Sequence, residues 1–143
     1  MRIQLGEQSI GDEQPCYLIA AIGSNHDGRL ERGLALIDQA AAAGANAVRF
    51  QSFRAATLLA RRWPRPEGGW RAADAFPQLE RLAVPNEWHP VLRDRARARG
   101  VTFLSTPFDE SRASLLAALG VPGFKIASGD LTHLPLLRRV ASY

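Results

Sequence analysis

The chain has 143 residues, 46% of them hydrophobic and 22% charged, a balance typical of one folded globular domain and unlike that of a disordered chain. The formal net charge is +4, and arginines account for all but one of the 18 basic residues. These arginines are scattered along helical segments without interleaved aromatic residues. We therefore interpret them as solvated helix faces and expect no nucleic-acid partner.

Neither a membrane span nor a secretory signal is predicted. The apolar runs, such as residues 34–37, are far shorter than the roughly 20 residues needed to cross a bilayer. Residues 1–14 mix charged with single apolar side chains, unlike a signal peptide, so we expect a cytoplasmic protein. Cys16 is the only cysteine, which excludes an internal disulfide. We expect it to be a buried strand residue.

The chain is predicted to open with a hairpin and then a strand, all within a single domain of residues 1–143. Residues 2–14 are expected to form a small β-hairpin with turns at Gly6 and Gly11, so that residues 1–15 cap the domain. Residues 17–22 supply the first strand of the main sheet.

A unit made of a helical stretch, a glycine and a short β-run then occurs three times at uneven spacing. Each helical stretch ends near a glycine, which tolerates the left-handed conformation common at helix ends. The apolar stripes are Leu30, Leu34, Ile37 and Ala41 before Gly44; Trp88, Val91, Leu92 and Ala96 before Gly100; and Leu115, Leu116 and Leu119 before Gly120. The β-runs that follow are residues 47–50, 101–104 and 124–127.

A fourth helix is predicted over residues 134–141, which makes the order βα four times over. Strands that alternate with helices indicate a parallel sheet with right-handed crossovers, in either a doubly wound fold or a closed barrel. In both folds, ligands bind beyond the carboxyl ends of the strands. Residues 54–85 are long for a loop between a strand and a helix. We interpret them as a partly helical lid over the strand ends, with a plain surface excursion as the equal alternative.

Polar residues follow each predicted strand, and we expect them to converge on one face. They are Asn25 and His26 after the first strand, Arg49 and Gln51 on the second, Ser105 and Thr106 after the third, and Lys125, Ser128 and Asp130 on the fourth. Two cations and several hydroxyls with few carboxylates favour an anionic, phosphorylated small molecule. Arg49 and Lys125 lie between apolar residues, and a buried cation needs a partner or a ligand. The alternative to a ligand is an ion pair, for instance between Lys125 and Asp130.

The histidines do not indicate a metal site. His26 lies in a turn of Gly, Asn and Asp residues, and His89 and His133 are expected to be surface or capping residues. No metal site can be assembled from them.

At these same strand ends the chain resembles the N-acetylneuraminate (sialic acid) synthase family. The matching segments are residues 21–28, 45–53, 103–109 and 120–135, in the family's order and spacing. The resemblance implies a TIM-type (βα)₈ barrel of which this chain is the N-terminal half, about four βα units preceded by the short hairpin. It also implies a transferase in carbohydrate biosynthesis, which condenses phosphoenolpyruvate with an N-acyl amino sugar to form a nonulosonic acid.

The resemblance further implies a divalent metal, Mn or Mg, that polarises the sugar aldehyde in the complete enzyme. The family's metal-binding histidines lie on later strands, so its ligands are not in this chain. Residue by residue, the family's phosphoenolpyruvate-binding positions correspond to Arg49, Thr106, Lys125 and Ser128. Asp130 corresponds to an acidic residue that we expect to be catalytic, and the other strand-end residues named above are further candidates for the site.

The chain departs from the family at two of these positions. Ala21 stands where the family has a glutamate thought to act in acid/base steps, and Arg49 replaces a lysine. Such acid–base groups contribute about 10²–10⁴-fold to a rate. A second hypothesis therefore remains, a non-catalytic or divergent phosphate- or anion-binding half-barrel. Because a half barrel leaves strand edges and interior apolar residues uncovered, we expect a homodimer or a complementing C-terminal half.

Overall fold

The computed structural model describes residues 2–143, and helices separate the three strands of its main sheet along the chain. The strands are β1 (Arg2–Leu5), β2 (Gln8–Gly11), β3 (Ile19–Gly23), β4 (Ala47–Ser52), β5 (Arg62–Pro64), β6 (Trp70–Ala72) and β7 (Thr102–Pro107). The helices are α1 (Leu30–Ala42), α2 (Ala55–Leu58), α3 (Phe76–Leu82), α4 (Trp88–Ala98), α5 (Glu110–Ala118) and α6 (Leu134–Ala141). A single 3₁₀ turn covers Ser128–Asp130. No helix within residues 2–143 has the length and apolar character needed to cross a membrane.

The central sheet is three-stranded and parallel, in the order β3-β4-β7. It confirms the predicted parallel sheet and three of its four predicted strands. The fourth predicted strand, over residues 124–127, is wrong: the segment forms one isolated bridge, between Ser105 and Phe124. Pro122 and Gly123 precede it and the 3₁₀ turn follows, and proline and glycine weaken a ladder because proline lacks an N–H and glycine has no side chain to pack.

The main core lies between one face of this sheet and the helices. Val48 and Phe50 of β4 and Phe103 of β7 pack with buried side chains of α1, α4 and α5, namely Ile37, Leu92 and Leu116. The predicted apolar stripes of these three helices therefore face the sheet, because a helix buries the residues that recur every three or four positions. Gly33 of α1 lies against α4, where an added Cβ would come within 3.2 Å of Leu92 Cδ2.

The N-terminal hairpin is confirmed, and the prediction for Cys16 is wrong. β1 and β2 are antiparallel and turn at Gly6, whose φ is +61°. Met1 lies outside the described residues. Cys16 is exposed and precedes β3, since it follows Pro15 in the connection between the hairpin and the sheet and takes part in neither ladder.

The long segment 54–85 is partly helical, as predicted, but it also contains an antiparallel hairpin that the sequence analysis missed. α2 and α3 flank the β5–β6 pair, and Phe76 packs with Ala55 and Ala73 in a small second core. Trp63 and Trp70 of the hairpin are 42% and 64% exposed. The assignment of this segment as a lid stays a prediction.

On the surface, one carboxylate joins α1 to α4. Asp38 accepts two hydrogen bonds from Arg95, at 2.8 and 2.7 Å, and one from Arg99 Nε at 2.8 Å. These contacts, with the hydrogen bond from Arg95 as the largest cause, lower the pKa of Asp38 to about 2. The ionised form of Asp38 therefore stabilises the folded chain.

We predict that Asp38→Asn lowers the melting temperature by about 1–3 °C near neutral pH, because paired surface carboxylates contribute modestly. The folded-state pKa lies below the ordinary value of 3.8. The contribution is thus fully present above about pH 4 and is lost as the pH falls towards about 2. In thermal melts, the difference in melting temperature between Asp38→Asn and the unmodified chain should become smaller as the pH is lowered through this window. Asp94→Asn is the matched control because Asp94 bonds its neighbour Arg93, and an equal pH dependence in that variant would contradict the assignment.

Candidate functional site

Three of the predicted site residues share the face of the sheet opposite the helices, which we call the open face. Arg49 and Gln51 alternate along β4 with Val48 and Phe50 of the core, so they point to the other side. Gln51 is the register partner of Thr106 on β7, one residue before the end of the β4–β7 ladder, which closes at Ser52 and Pro107. The Gln51 side chain also accepts a hydrogen bond from Ser24 Oγ, at 3.1 Å, which joins the end of β3 to this group.

The two cations have no protein partner within residues 2–143. Arg49 is half-buried, and its guanidinium makes no hydrogen bond or ion pair with another residue of this range. Lys125 is exposed, which corrects the expectation that it is buried; the segment that carries it contacts β7 through a single bridge and a 3.4 Å bond from Lys125 N–H to the Ser105 carbonyl. The alternative ion pair between Lys125 and Asp130 does not form in the described chain.

Of the polar atoms that are buried without a partner among the described residues, two belong to the open face and to the 3₁₀ turn. They are Thr106 Oγ1, on a fully buried side chain, and Asp130 Oδ2 in the 3₁₀ turn. Ser128 begins the same turn and is exposed. An unpaired buried oxygen costs about 1–3 kcal/mol relative to a paired one, so both atoms favour a ligand or water that would complete them.

Ser105 and His26 do not join this group, which corrects the expectation that all the strand-end residues converge. Ser105 pairs with Phe50 in the register and its hydroxyl bonds Ser52, on the helix-facing side of the sheet. His26 is buried against the rings of Phe50 and Trp88. The side chains alternate along a strand, so a residue adjacent to Thr106 must face the helices. Asn25 is exposed in the loop after β3.

His89 is the buried polar residue that the sequence analysis placed wrongly on the surface. It is 1% exposed, and its Nε2 lies 2.8 Å from Ser52 Oγ. Burial is the largest cause of its lowered pKa. The signal was present in the sequence, because His89 lies three residues before Leu92 and seven before Ala96, on the buried face of α4. His133 precedes α6 and is exposed, as predicted.

A second polar cluster holds the start of the long segment against α5. Asp109 caps α5 by accepting from Arg112 N at 2.8 Å, and its other oxygen accepts from Arg54 Nε at 3.0 Å and Thr57 Oγ1 at 2.8 Å. Burial opposes ionisation of Asp109, but these three donors outweigh it and keep the pKa below its usual value. Arg112 is buried beside them and donates to Asn86 Oδ1. The loop after β4 is thereby fixed to the loop after β7.

Within residues 2–143, no three His, Cys, Asp or Glu side chains lie close enough together to hold a metal ion. His26 Nδ1 accepts from the Gly28 N–H and His89 is engaged on both ring nitrogens. The described residues therefore do not fit a resident divalent metal.

The fold and the site define an α/β protein in which a parallel sheet carries cations and hydroxyls beside its strand ends. Residues 36–143 match the NeuB family. The chain belongs to this family, the sialic acid synthase family that its strand-end motifs resemble.

The relatives and the solved structure that this chain resembles are all longer than the chain itself. Spore coat polysaccharide biosynthesis protein SpsE of Bacillus subtilis is 41% identical over 96% of this chain and 37% of the relative. N,N'-diacetyllegionaminic acid synthase of Legionella pneumophila is 35% identical over 92% and 38%. The structure of N-acetylneuraminic acid synthetase from Leptospira borgpetersenii in complex with citrate is similar with a TM-score of 0.87 at 30% identity, over 99% of this chain and 46% of that one. The chain thus spans less than half the length of these relatives.

The loop after β3 is tied to the end of the long segment through Gly28. Arg81, near the end of α3, donates to the Asp27 carbonyl at 3.2 Å and also binds the Asp27 carboxylate. Gly28 has φ of +70°, and a Cβ on it would lie 2.6 Å from the Arg81 carbonyl oxygen. This close approach requires glycine.

We predict that Gly28→Ala destabilises the chain more than Gly44→Ala does. Gly44 also has a left-handed backbone, at φ of +83°, but nothing lies within 4 Å of an added Cβ. Gly44→Ala should cost about 1–2 kcal/mol for the backbone conformation, and Gly28→Ala about 2–4 kcal/mol because backbone atoms must also move. Urea unfolding measures both free energies. Equal losses would show that the contact with Arg81 is unimportant.

Proposed function

We propose that the open face binds phosphoenolpyruvate, as part of a synthase that condenses it with an N-acyl amino sugar to form a nonulosonic acid. The observation that carries the proposal is that one face of two adjacent strands carries both the half-buried guanidinium of Arg49 and the buried hydroxyl of Thr106, neither with a partner among the described residues. A cation and a hydroxyl that lack protein partners are suited to an anion that carries phosphate and carboxylate.

In this proposal each residue has a separate task. Arg49 presents a planar fork of donors to the phosphate or the carboxylate, and Lys125 adds a point charge. Thr106 and Ser128 donate hydroxyl hydrogen bonds to the same anion. Asp130 accepts a proton from, or orients, a water or hydroxyl next to it through the buried oxygen that has no partner. The names of two relatives as synthases of acidic sugars, and the citrate bound in the structure of one of them, support an anionic ligand for the family.

We also propose that the sheet belongs to the N-terminal half of a TIM-type (βα)₈ barrel. Three strands are parallel and alternate with helices, and the apolar side chains of Leu18 and Ile19 at the start of β3 are about half exposed, at 53% and 49%. Further strands would cover them. A complementing C-terminal half or a second copy of the chain supplies such strands, and the sugar and the divalent metal would bind with that half.

A non-catalytic or divergent anion-binding protein is the second candidate, and Ala21 is the observation that favours it. Ala21 is the register partner of Arg49 and carries a methyl group where an ionisable side chain would lie beside the guanidinium. An alanine cannot transfer a proton. Binding of the anion without turnover is the outcome that this candidate predicts.

We predict that the chain binds phosphoenolpyruvate and that Arg49→Ala and Lys125→Ala each weaken binding by about 10–100-fold, the cost of losing one charge-assisted bond of about 1.5–3 kcal/mol. Isothermal titration calorimetry measures the dissociation constants. Arg97→Ala is the matched control, because Arg97 is an exposed arginine near the end of α4 that lines a cleft with the turn of the first hairpin, at the far end of the sheet.

Equal weakening in all three variants would show a general charge effect, which contradicts the assigned site. A folded chain that binds no phosphoenolpyruvate at millimolar concentration, alone and when mixed with the C-terminal part of a relative, would reject the proposed function.

A further inference from the structure

Three buried side chains form a continuous hydrogen-bonded chain behind the open face. His89 Nε2 lies 2.8 Å from Ser52 Oγ, and Ser52 Oγ lies 2.7 Å from Ser105 Oγ. His89 Nδ1 lies 2.9 Å from the Pro85 carbonyl oxygen. All three side chains are 0–1% exposed. These hydrogen bonds join β4, β7 and the first turn of α4, and none of the three residues has a role in the proposed anion site.

The Pro85 carbonyl fixes the direction of every bond in this chain. A carbonyl oxygen only accepts, so His89 Nδ1 must carry the hydrogen. In a neutral imidazole Nε2 is then the acceptor, and Ser52 donates to it. Because the Ser52 hydrogen is used there, Ser105 donates to Ser52. Burial lowers the pKa of His89, which agrees with the neutral ring that this order requires.

The position of the two serines connects this chain to the open face. Ser52 directly follows Gln51, and Ser105 directly precedes Thr106, while Gln51 and Thr106 are register partners on the other face. The Ser105 carbonyl also accepts from the Lys125 N–H. A bond between Ser52 and Ser105 therefore fixes the relative positions of the backbone segments that carry Gln51, Thr106 and Lys125.

We propose that His89, acting through Ser52 and Ser105, is a positioning residue that holds the carboxyl ends of β4 and β7 in the arrangement the anion site needs. The proposal rests on the proposed function for its ligand, phosphoenolpyruvate. It also makes statements about the protein alone, which are testable without a ligand.

The first test is ¹⁵N NMR of the imidazole in the unmodified chain. His89 should show the Nδ1–H tautomer, with Nε2 unprotonated, at pH 7. The Nε2–H tautomer or a charged ring would overturn the proposal, because Ser52 would then have no acceptor at His89. This result does not depend on whether phosphoenolpyruvate binds.

The second test compares Ser105→Ala with Val101→Ala by calorimetry and by amide hydrogen exchange. Val101 is a buried residue that directly precedes β7, at the amino end of the strand, so its truncation lowers stability without touching the chain of hydrogen bonds. Ser105→Ala should raise the dissociation constant for phosphoenolpyruvate about tenfold, the scale of losing a residue that orients a ligand-binding group. Val101→Ala should change this dissociation constant by less than about twofold, even if it lowers the melting temperature as much as Ser105→Ala does.

Hydrogen exchange separates failure of this proposal from failure of the proposed function. In Ser105→Ala the amides of Gln51 and Thr106 should exchange about tenfold faster relative to those of Val48 and Phe103, and in Val101→Ala this ratio should not change. If the chain binds no phosphoenolpyruvate but this local pattern is found, the function is rejected and the positioning role stands. A ratio that is unchanged in Ser105→Ala, or changed equally in both variants, overturns the positioning role.

Discussion

The structure depends on the alternation of side chains along β4, the middle strand of the parallel sheet. Val48, Phe50 and Ser52 face the helices, and Arg49 and Gln51 face the other way. Each apolar residue that fixes the strand in the core therefore also fixes a polar neighbour on the open face. A shift of one residue in the register would bury the guanidinium and expose two core side chains, so the core holds the site in place.

The helices and the three strands could be predicted because their signals are local. The apolar stripe beginning at Leu30 and the β-run at 47–50 lie within α1 and β4, and the prediction for residues 134–141 has the bounds of α6. The prediction of a fourth strand failed because a ladder needs a neighbouring strand to pair with, and the pattern of apolar residues does not show whether that neighbour is available. Residues 124–127 have the composition of a strand, but β7 offers them a single bridge at Phe124.

The site was predictable to the extent that strand ends meet at one edge, which brought Arg49, Gln51 and Thr106 together. The predicted β-run ended at residue 104, so Ser105 and Thr106 were grouped as residues that follow the strand. β7 continues to Pro107, and the alternation of side chains gives the two residues opposite faces. His89 was missed for a related reason. It is a polar residue on an apolar helical stripe, and it was interpreted by its polarity although its spacing from Leu92 indicated burial. Its side-chain partner Ser52 lies on β4, distant in sequence.

Under the proposed function, the charge of the open face favours anion binding, but the face lacks a carboxylate for proton transfer next to Arg49. Elsewhere in residues 2–143 several arginines form ion pairs with carboxylates, as Arg95 does with Asp38 and Arg54 does with Asp109. Arg49 has Ala21 as its register neighbour on β3 instead. Under the proposed function, the lack of a carboxylate would leave the full positive charge available to the anion. It also removes a group that the family resemblance links to acid/base steps. Asp27 and Asp109, which follow β3 and β7, pair with arginines, whereas Asp130 has one buried oxygen without a partner among the described residues. Under the proposed function, such a chain would bind the anion, and turnover would depend on Asp130 or on groups supplied by another part of the proposed barrel.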